Sequence, residues 1–137
     1  MPPADPQRWR ELAIVPAALL LHNLEEALTI GAALPRMQAK WSALLGRAVA
    51  LPSERQFHLD LVLITAFGFA LLLAARRWRG AGWALIGLQA VMAMNVLTHV
   101  GGAVLLGGYA PGLVTAVLVE APASVILFRR LRRERRP

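Results

Sequence analysis

Four long apolar runs dominate the distribution of hydrophobic and polar positions along the chain. They lie at residues 12–34, 59–75, 81–106 and 111–128. Each is close to the ~17–25 residues that a membrane-spanning helix needs. The pattern therefore predicts an all-α fold, a four-helix transmembrane bundle that forms a single membrane domain over residues 1–137. The predicted helices lie at about 8–31, 56–77, 81–106 and 111–131.

The connection between the first two runs has a different periodicity. Arg36, Lys40 and Arg47 fall on one side of a helix drawn through it, and apolar residues recur on the other side. Such a pattern is typical of a helix that lies in the membrane interface. We expect an amphipathic interfacial helix at 36–50, which serves as an anchor in preference to a lid over a lipid-like ligand.

Prolines predict irregularities in two of the four helices. Pro16 lies inside the first helix, where its missing N–H frees a carbonyl near Leu12 and predicts a kink. Pro122 predicts a second kink, in the fourth helix. Pro111 is expected to open that helix, in the first-turn position where a missing N–H costs nothing.

Composition supports a membrane location. Hydrophobic residues make up 57% of the chain and the mean hydropathy is +0.52, whereas soluble proteins are about 45–50% apolar. The chain contains no cysteine, which excludes disulfides, thiolate nucleophiles and metal–thiolate sites. A metal bound by this protein must therefore have nitrogen and oxygen ligands.

The net charge of +7 indicates topology, not nucleic-acid binding. Arginines cluster at 76–79 and 129–136, directly after the second and fourth apolar runs, and the longer cluster at 129–136 contains no aromatic residue. Because arginine and lysine concentrate on the cytoplasmic side of membranes, both termini are predicted to be cytoplasmic. The connection between the first two membrane helices would then lie on the outer side, and its basic residues are exceptions to this rule: Arg36, Lys40, Arg47 and Arg55. The expected partner of the basic tail is anionic membrane lipid, with no nucleic acid.

Ionisable residues inside the apolar runs are the candidates for chemistry. His22, Glu25 and Glu26 form an H-x-x-E-E string and share one stripe of the first helix. His99 and Glu120 fall near the same depth on the third and fourth helices. A charged side chain at the centre of a bilayer costs roughly 2.5–3.5 kcal/mol on insertion scales, so we expect these groups to converge and to neutralise one another or a shared cation.

The donor types favour a divalent metal without sulfur ligands, namely zinc, iron or manganese. The predicted metal ligands are His22, Glu26, His99 and Glu120. The predicted catalytic residues are Glu25, Glu26 and Asn95, with the glutamate that does not bind metal as general base. His58 and Asp60 are interpreted as interfacial residues at a helix start, with membership of the site left open.

The string His22–Glu26 resembles the defining motif of the small HXXEE membrane proteins of bacteria. Two further elements resemble that family, the segment Asn95–His99 and the segment Tyr109–Gly112 followed by Thr115. The resemblance spans most of the chain. It implies a protein of the bacterial inner membrane and favours a membrane enzyme, without indicating a reaction.

Several functions remain open at this point. The preferred hypothesis is a metal-assisted intramembrane enzyme that acts on a hydrophobic or lipid-like small molecule. A second is a metal-free isomerase that moves a proton between a glutamate and a histidine. A third is a non-enzymatic proton-coupled carrier or binding subunit, for which a homodimer is possible. The last is a polar network that only locks the helices together.

Overall fold

All regular structure in the computed structural model is helical. It describes the backbone of residues 6–134 and the side chains of residues 9–133. The helices are α1 (Pro6–Leu12), α2 (Ile14–Leu45), α3 (Glu54–Ala74), α4 (Arg79–Leu106), α5 (Leu113–Thr115), a π-helical segment (Ala116–Glu120) and α6 (Ala121–Glu134). The prediction of an all-α fold is confirmed. The last arginines of the predicted basic tail, Arg135 and Arg136, lie outside the described residues.

Three helical stretches are long and apolar enough to cross a membrane. They are Trp9–Leu45, Glu54–Ala74 and Arg79–Leu106. Many large apolar side chains on these stretches are exposed on the outside of the bundle, for example Leu28, Val62 and Leu97. Apolar residues that face outward are typical of helices that contact lipid. A membrane protein is thus supported both by length and by the distribution of apolar surface.

The first span is interrupted near the position that Pro16 predicts. The helix breaks at Ala13 and resumes at Ile14. Pro16 has no N–H to donate to the carbonyl four residues earlier, which is that of Leu12, so the regular ladder cannot continue there. The irregularity precedes the H-x-x-E-E string by about two turns.

The amphipathic helix predicted at 36–50 is not a separate element of the structure. Helix α2 continues through Pro35 and ends only at Leu45, where Gly46 adopts a left-handed conformation with φ 62°. A proline removes one backbone hydrogen bond but does not have to end a helix that is supported by packing. Support comes from α3, because Gly31 leaves room for the Glu54 carboxylate, which would lie 2.6 Å from an added Cβ.

The last helix also begins later than predicted. Pro111 lies in the preceding turn, Gly112 has φ 75°, and the helix starts at Leu113. The π-helical segment ends at Glu120, directly before Pro122. Because Pro122 cannot donate, a wider turn before it accommodates the interrupted ladder without ending the helix.

One end of the bundle gathers the basic segments. The indole N–H of Trp9 donates to the carbonyl of Leu72 at 3.1 Å, and the Arg76 guanidinium lies 4.4 Å from the Trp9 ring centroid. Arg130 pairs with Glu11 at 3.0 Å. These contacts place α1, the α3–α4 turn and the end of α6 together. The core at this end consists of Leu12, Val15, Leu72, Leu85 and Leu127.

Helices α2 and α3 are joined by a buried amide beside the motif histidine. The Asn23 amide donates to the carbonyl of Leu61 at 3.1 Å and to the Thr65 hydroxyl at 2.7 Å. An interhelical hydrogen bond of this kind contributes about 0.6–2 kcal/mol in a membrane protein. Asn23 thereby holds α2 against α3, so that the next turn of α2 faces α4 and the loop before α5.

Candidate metal centre

His22, Glu26 and His99 come together between α2 and α4. Each offers one ligand atom, and these three atoms lie within 4.8 Å of one another. The two imidazole rings meet edge to face, with centroids 4.7 Å apart and an interplanar angle of 76°. The Nε2 atom of His22 lies 3.9 Å from a carboxylate oxygen of Glu26. The spacing of four residues between His22 and Glu26 brings both to one face of α2.

Glu25 faces the loop before α5, and both of its oxygens are bonded. Oε1 accepts from the Tyr109 hydroxyl at 2.5 Å and from the backbone N–H of Val114 at 3.1 Å. Oε2 accepts from the backbone N–H of Thr115 at 2.6 Å and from its hydroxyl at 2.5 Å. A carboxylate with four donors is tightly held, and it has little capacity left to accept a proton from a substrate.

The surroundings of Tyr109 keep its phenol protonated, so that it can donate a hydrogen bond. Burial first, and then its hydrogen bond to the Glu25 carboxylate, raise the pKa of the Tyr109 phenol above its ordinary value. The phenol therefore remains protonated at neutral pH and continues to donate to Glu25. Its contact ties the loop to the outer face of α2.

Thr115 connects Glu25 to His22 and fixes the proton of the imidazole. Because the Thr115 hydroxyl donates to Glu25, it accepts from Nδ1–H of His22, which lies 3.1 Å away. The remaining nitrogen, Nε2, then carries a lone pair. His22 is only 1% exposed, and its Nε2 has no hydrogen-bond partner among the described residues. The chain Glu25–Thr115–His22 thus leaves one buried lone pair beside Glu26 and His99.

His99 is oriented from its own helix. The Asn95 amide donates to Nε2 of His99 at 2.9 Å, and Asn95 accepts in turn from the Thr98 hydroxyl at 2.8 Å. The spacing of four residues makes this contact possible within one helix face. Asn95, predicted as catalytic, therefore contacts the site through His99.

Gly112 covers the two imidazoles with bare backbone. A Cβ added at this position would lie 2.7 Å from Cε1 of His22, 2.9 Å from Cε1 of His99 and 3.2 Å from Cγ of Glu26. The same residue has φ 75°, a conformation that favours glycine. The loop can approach the imidazoles this closely only because Gly112 has no side chain.

Glu120 does not join the other three predicted ligands, and its inclusion in the metal set is corrected. Instead it accepts a hydrogen bond at 3.1 Å from Gln89 of α4, between that helix and the last one. The sequence predicted the depth of Glu120 in the bundle. It did not predict the direction in which its side chain points at the end of the π-helical segment. His58 and Asp60 also lie outside the group: His58 contacts the carbonyl of Ala27 at 2.9 Å, and Asp60 accepts from Gln56 at 2.8 Å.

A mostly apolar cavity of about 460 Å³ extends from the group of His22, Glu26 and His99. Its walls come from the second half of α2, the start of α3, the end of α4 and the loop before α5. Glu26 and His99 line it, together with apolar residues that include Trp41, Leu44 and Leu105. A cavity of this size, with a few polar groups among apolar walls, is typical of a site for a small molecule.

Three contributors to these contacts were missed in the sequence. Asn23 occupies a variable position of the H-x-x-E-E string, Gly112 carries no chemistry of its own, and Gln89 lies in an apolar stretch. Only Gly112 had a usable signal, since a glycine directly after a proline is typical of a turn. The other two positions depend on which way each helix is rotated.

Comparison with known proteins connects this geometry to a family. The sequence profile of the proteins of unknown function with an HXXEE motif matches residues 13–127. The chain belongs to the HXXEE family. This HXXEE protein is also similar to the uncharacterized protein YrkK of Bacillus subtilis (strain 168), at 28% identity over 118 residues, which cover 81% of this chain and 68% of that protein. No solved structure matches the chain.

The family match includes every residue of the candidate centre. It begins before His22 and ends after Thr115, so the motif glutamates and the loop that binds them belong to the same matched region. In this HXXEE protein the first glutamate binds the loop, and the second faces the two imidazoles. The motif therefore supplies one structural carboxylate and one candidate ligand.

Gly112→Ala is expected to disrupt the centre in this HXXEE protein. The added Cβ meets both imidazoles below 3.0 Å, and the left-handed backbone is strained by any side chain. We expect a lower melting temperature in detergent. Gly108→Ala is the matched control, because an added Cβ there meets nothing within 4 Å. Equal melting curves for both variants would contradict this assignment.

Proposed function

We propose that this protein is an intramembrane enzyme that holds a divalent metal with His22, Glu26 and His99 and acts on a hydrophobic or lipid-like molecule. The observation that carries the proposal is the buried, unpartnered Nε2 of His22 beside Glu26 and His99. A buried nitrogen without a partner costs roughly 1–3 kcal/mol. A metal ion at this position removes that cost.

The donor set fits zinc, iron or manganese. Two imidazoles and one carboxylate are the ligands of several catalytic metal centres, which keep a further position open for water or substrate. Ligand atoms about 2.0–2.1 Å from a tetrahedral metal lie about 3.3 Å apart. The 3.9 Å between His22 and Glu26 requires only a small side-chain adjustment to reach this value.

The chain Glu25–Thr115–His22 supports the same assignment. Histidines that bind metal almost always donate their other N–H to an oxygen that is itself held in place. Here Nδ1–H of His22 donates to Thr115, and Thr115 donates to Glu25. We therefore assign Glu25 a positioning role and not that of general base.

The metal would polarise a substrate oxygen or lower the pKa of a bound water. The protein residues have separate tasks: Glu25 orients the imidazole of His22 through Thr115, and Gly112 excludes water from one side. The cavity beside Glu26 accepts the apolar part of the substrate. Lys40 lines the same cavity and offers a positive charge to a polar head group.

A metal-free acid–base enzyme is the second candidate. It is favoured by the hydrogen bond from Asn95 to Nε2 of His99, which uses a lone pair that a metal would need. In this reading His22 accepts a proton at Nε2 and Glu26 exchanges a proton on the other side of the substrate. Turnover that survives a strong chelator, together with loss of turnover in Glu26→Gln, would select this candidate.

We also propose how the chain is placed in the bacterial inner membrane. The run from Leu113 to the end of α6 is the fourth membrane helix, in addition to the three long spans. The end of the bundle that carries Arg76, Arg77 and Arg130 faces the cytoplasm, as the excess of arginine requires. The metal centre then lies toward the outer half of the membrane, where an amphiphile can enter between α2 and α4.

Metal stoichiometry tests the proposed centre. We expect the purified protein to bind about one zinc, iron or manganese ion per chain, as measured by elemental analysis after titration and desalting. His22→Ala removes the nitrogen with the free lone pair and should abolish this binding. His58→Ala is the matched control, since His58 lies outside the group. Absence of saturable binding in the wild type, or equal binding in His22→Ala, would reject the metal.

Thr115→Ala should weaken metal binding about 10–100-fold, the usual effect of losing the group that orients a ligand. Thr115→Ser keeps the hydroxyl that connects Glu25 to His22 and should retain the affinity of the wild type. Isothermal titration with zinc measures both variants. If serine and alanine give the same affinity, the hydroxyl does not position His22.

Filling the cavity should exclude a lipid-like ligand. Gly102→Phe places an aromatic ring on the cavity side of α4, where an added Cβ meets only Ala110, at 3.6 Å. We expect photocrosslinking to a photoactivatable fatty acid in vesicles to be lost. Gly101→Phe, on the adjacent position of the same helix, lines no part of the cavity and should crosslink like the wild type. Unchanged crosslinking in Gly102→Phe would place the ligand elsewhere.

A further inference from the structure

A second buried polar cluster lies between α4 and the last helix, apart from the metal centre. It consists of Gln89, Glu120 and Ser124, which are 0%, 1% and 4% exposed. Glu120 ends the π-helical segment, and Ser124 follows it by one turn in α6. A π-helical turn is rare and is frequently found at functional sites. The proposed reaction at His22 uses none of these residues.

The hydrogen bonds of this cluster use every donor and leave two acceptors free. The Gln89 amide donates to Oε2 of Glu120 at 3.1 Å and to the Ser124 hydroxyl at 2.8 Å, which uses both of its hydrogens. The Ser124 hydroxyl donates to the backbone carbonyl of Glu120 at 2.8 Å. Oε1 of Glu120 and Oε1 of Gln89 remain buried without a partner among the described residues. The cluster is therefore short of a donor.

No cation in the described part of the chain compensates Glu120. The elements packed against its segment are α2, α4, α5 and α6. No ion pair of the described residues involves Glu120, and the hydrogen-bond partner of its carboxylate among these residues is the Gln89 amide. An ionised carboxylate that is buried without a countercharge is very costly, and such a group takes up a proton instead.

We propose that Glu120 is a proton-binding site, a carboxylic acid that stays neutral inside the bundle and is independent of the metal centre. A proton on Oε1 removes the charge and supplies the donor that the cluster lacks. Ser124, which accepts from the same Gln89 amide as Glu120, lines a groove of about 470 Å³. The ligand of this second site is thus a proton.

A hydrophobic carbodiimide detects this state by its chemistry. The acid proton transfers to one carbodiimide nitrogen, and the carboxylate oxygen adds to the central carbon. The product then rearranges to an N-acylurea. No atom is lost, so the protein gains the mass of one reagent molecule. An ionised carboxylate lacks the proton for the first step, and the reagent partitions into the apolar interior, where it meets buried acids.

The experiment labels the full-length protein in vesicles at neutral pH with dicyclohexylcarbodiimide and maps the site by peptide mass spectrometry. We expect the label on Glu120 in the wild type and loss of this label in Glu120→Gln. Asp60→Asn, which changes an exposed carboxylate bonded to Gln56, is the matched control and should be labelled like the wild type.

Absence of label on Glu120 in the wild type would overturn the proposal, and this result does not depend on how any variant folds. Protection of Glu120 by excess Na⁺ would also overturn it, because the two free oxygens would then bind a cation. Added zinc should leave the labelling of Glu120 unchanged. A protein that binds no metal but is labelled at Glu120 would refute the metal centre and retain the proton site.

Discussion

The carboxylate of Glu25 fixes the arrangement on which the candidate centre depends. It accepts hydrogen bonds from Tyr109, Val114 and Thr115, and so attaches α5 and the loop before it to the middle of α2. With the loop held there, Gly112 lies over the imidazoles and Thr115 reaches Nδ1 of His22. Because Thr115 accepts from Nδ1–H, Nε2 of His22 keeps a free lone pair, and this nitrogen is the most informative atom of the site. It depends on the attachment made by Glu25.

The two adjacent glutamates of the motif have separate tasks because a helix turns by about 100° per residue. Glu25 points to the loop and is saturated with donors, while Glu26 points to α4 and lies beside His22 and His99. Two carboxylates side by side would repel one another if both faced the same apolar space. Their different environments allow one to stay ionised as a structural anchor and leave the other available for a cation.

The sequence was sufficient to predict the convergence of His22, Glu26 and His99. Helical spacing places two of them on one face, and equal depth on neighbouring helices brings the third to the same level. Depth alone does not predict how a helix is rotated about its axis. For this reason Glu120 was grouped with the wrong residues, and Gln89 was overlooked. The separate helix expected at 36–50 failed for a related reason, since packing against Glu54 of α3 supports α2 through Pro35 and the spacing of polar residues alone does not show where a helix ends.

Two polar clusters in one small bundle require two separate means of neutralisation. Each buried ionisable group costs roughly 2.5–3.5 kcal/mol near the centre of a membrane, so a chain of this size retains such groups only where something offsets the cost. At His22 and Glu26, bonded neighbours surround a lone pair that suits a metal ion. At Glu120 all donors of the cluster are already used and no described residue forms an ion pair with the carboxylate, so the smallest available cation, a proton, is the one that this second cluster can accommodate.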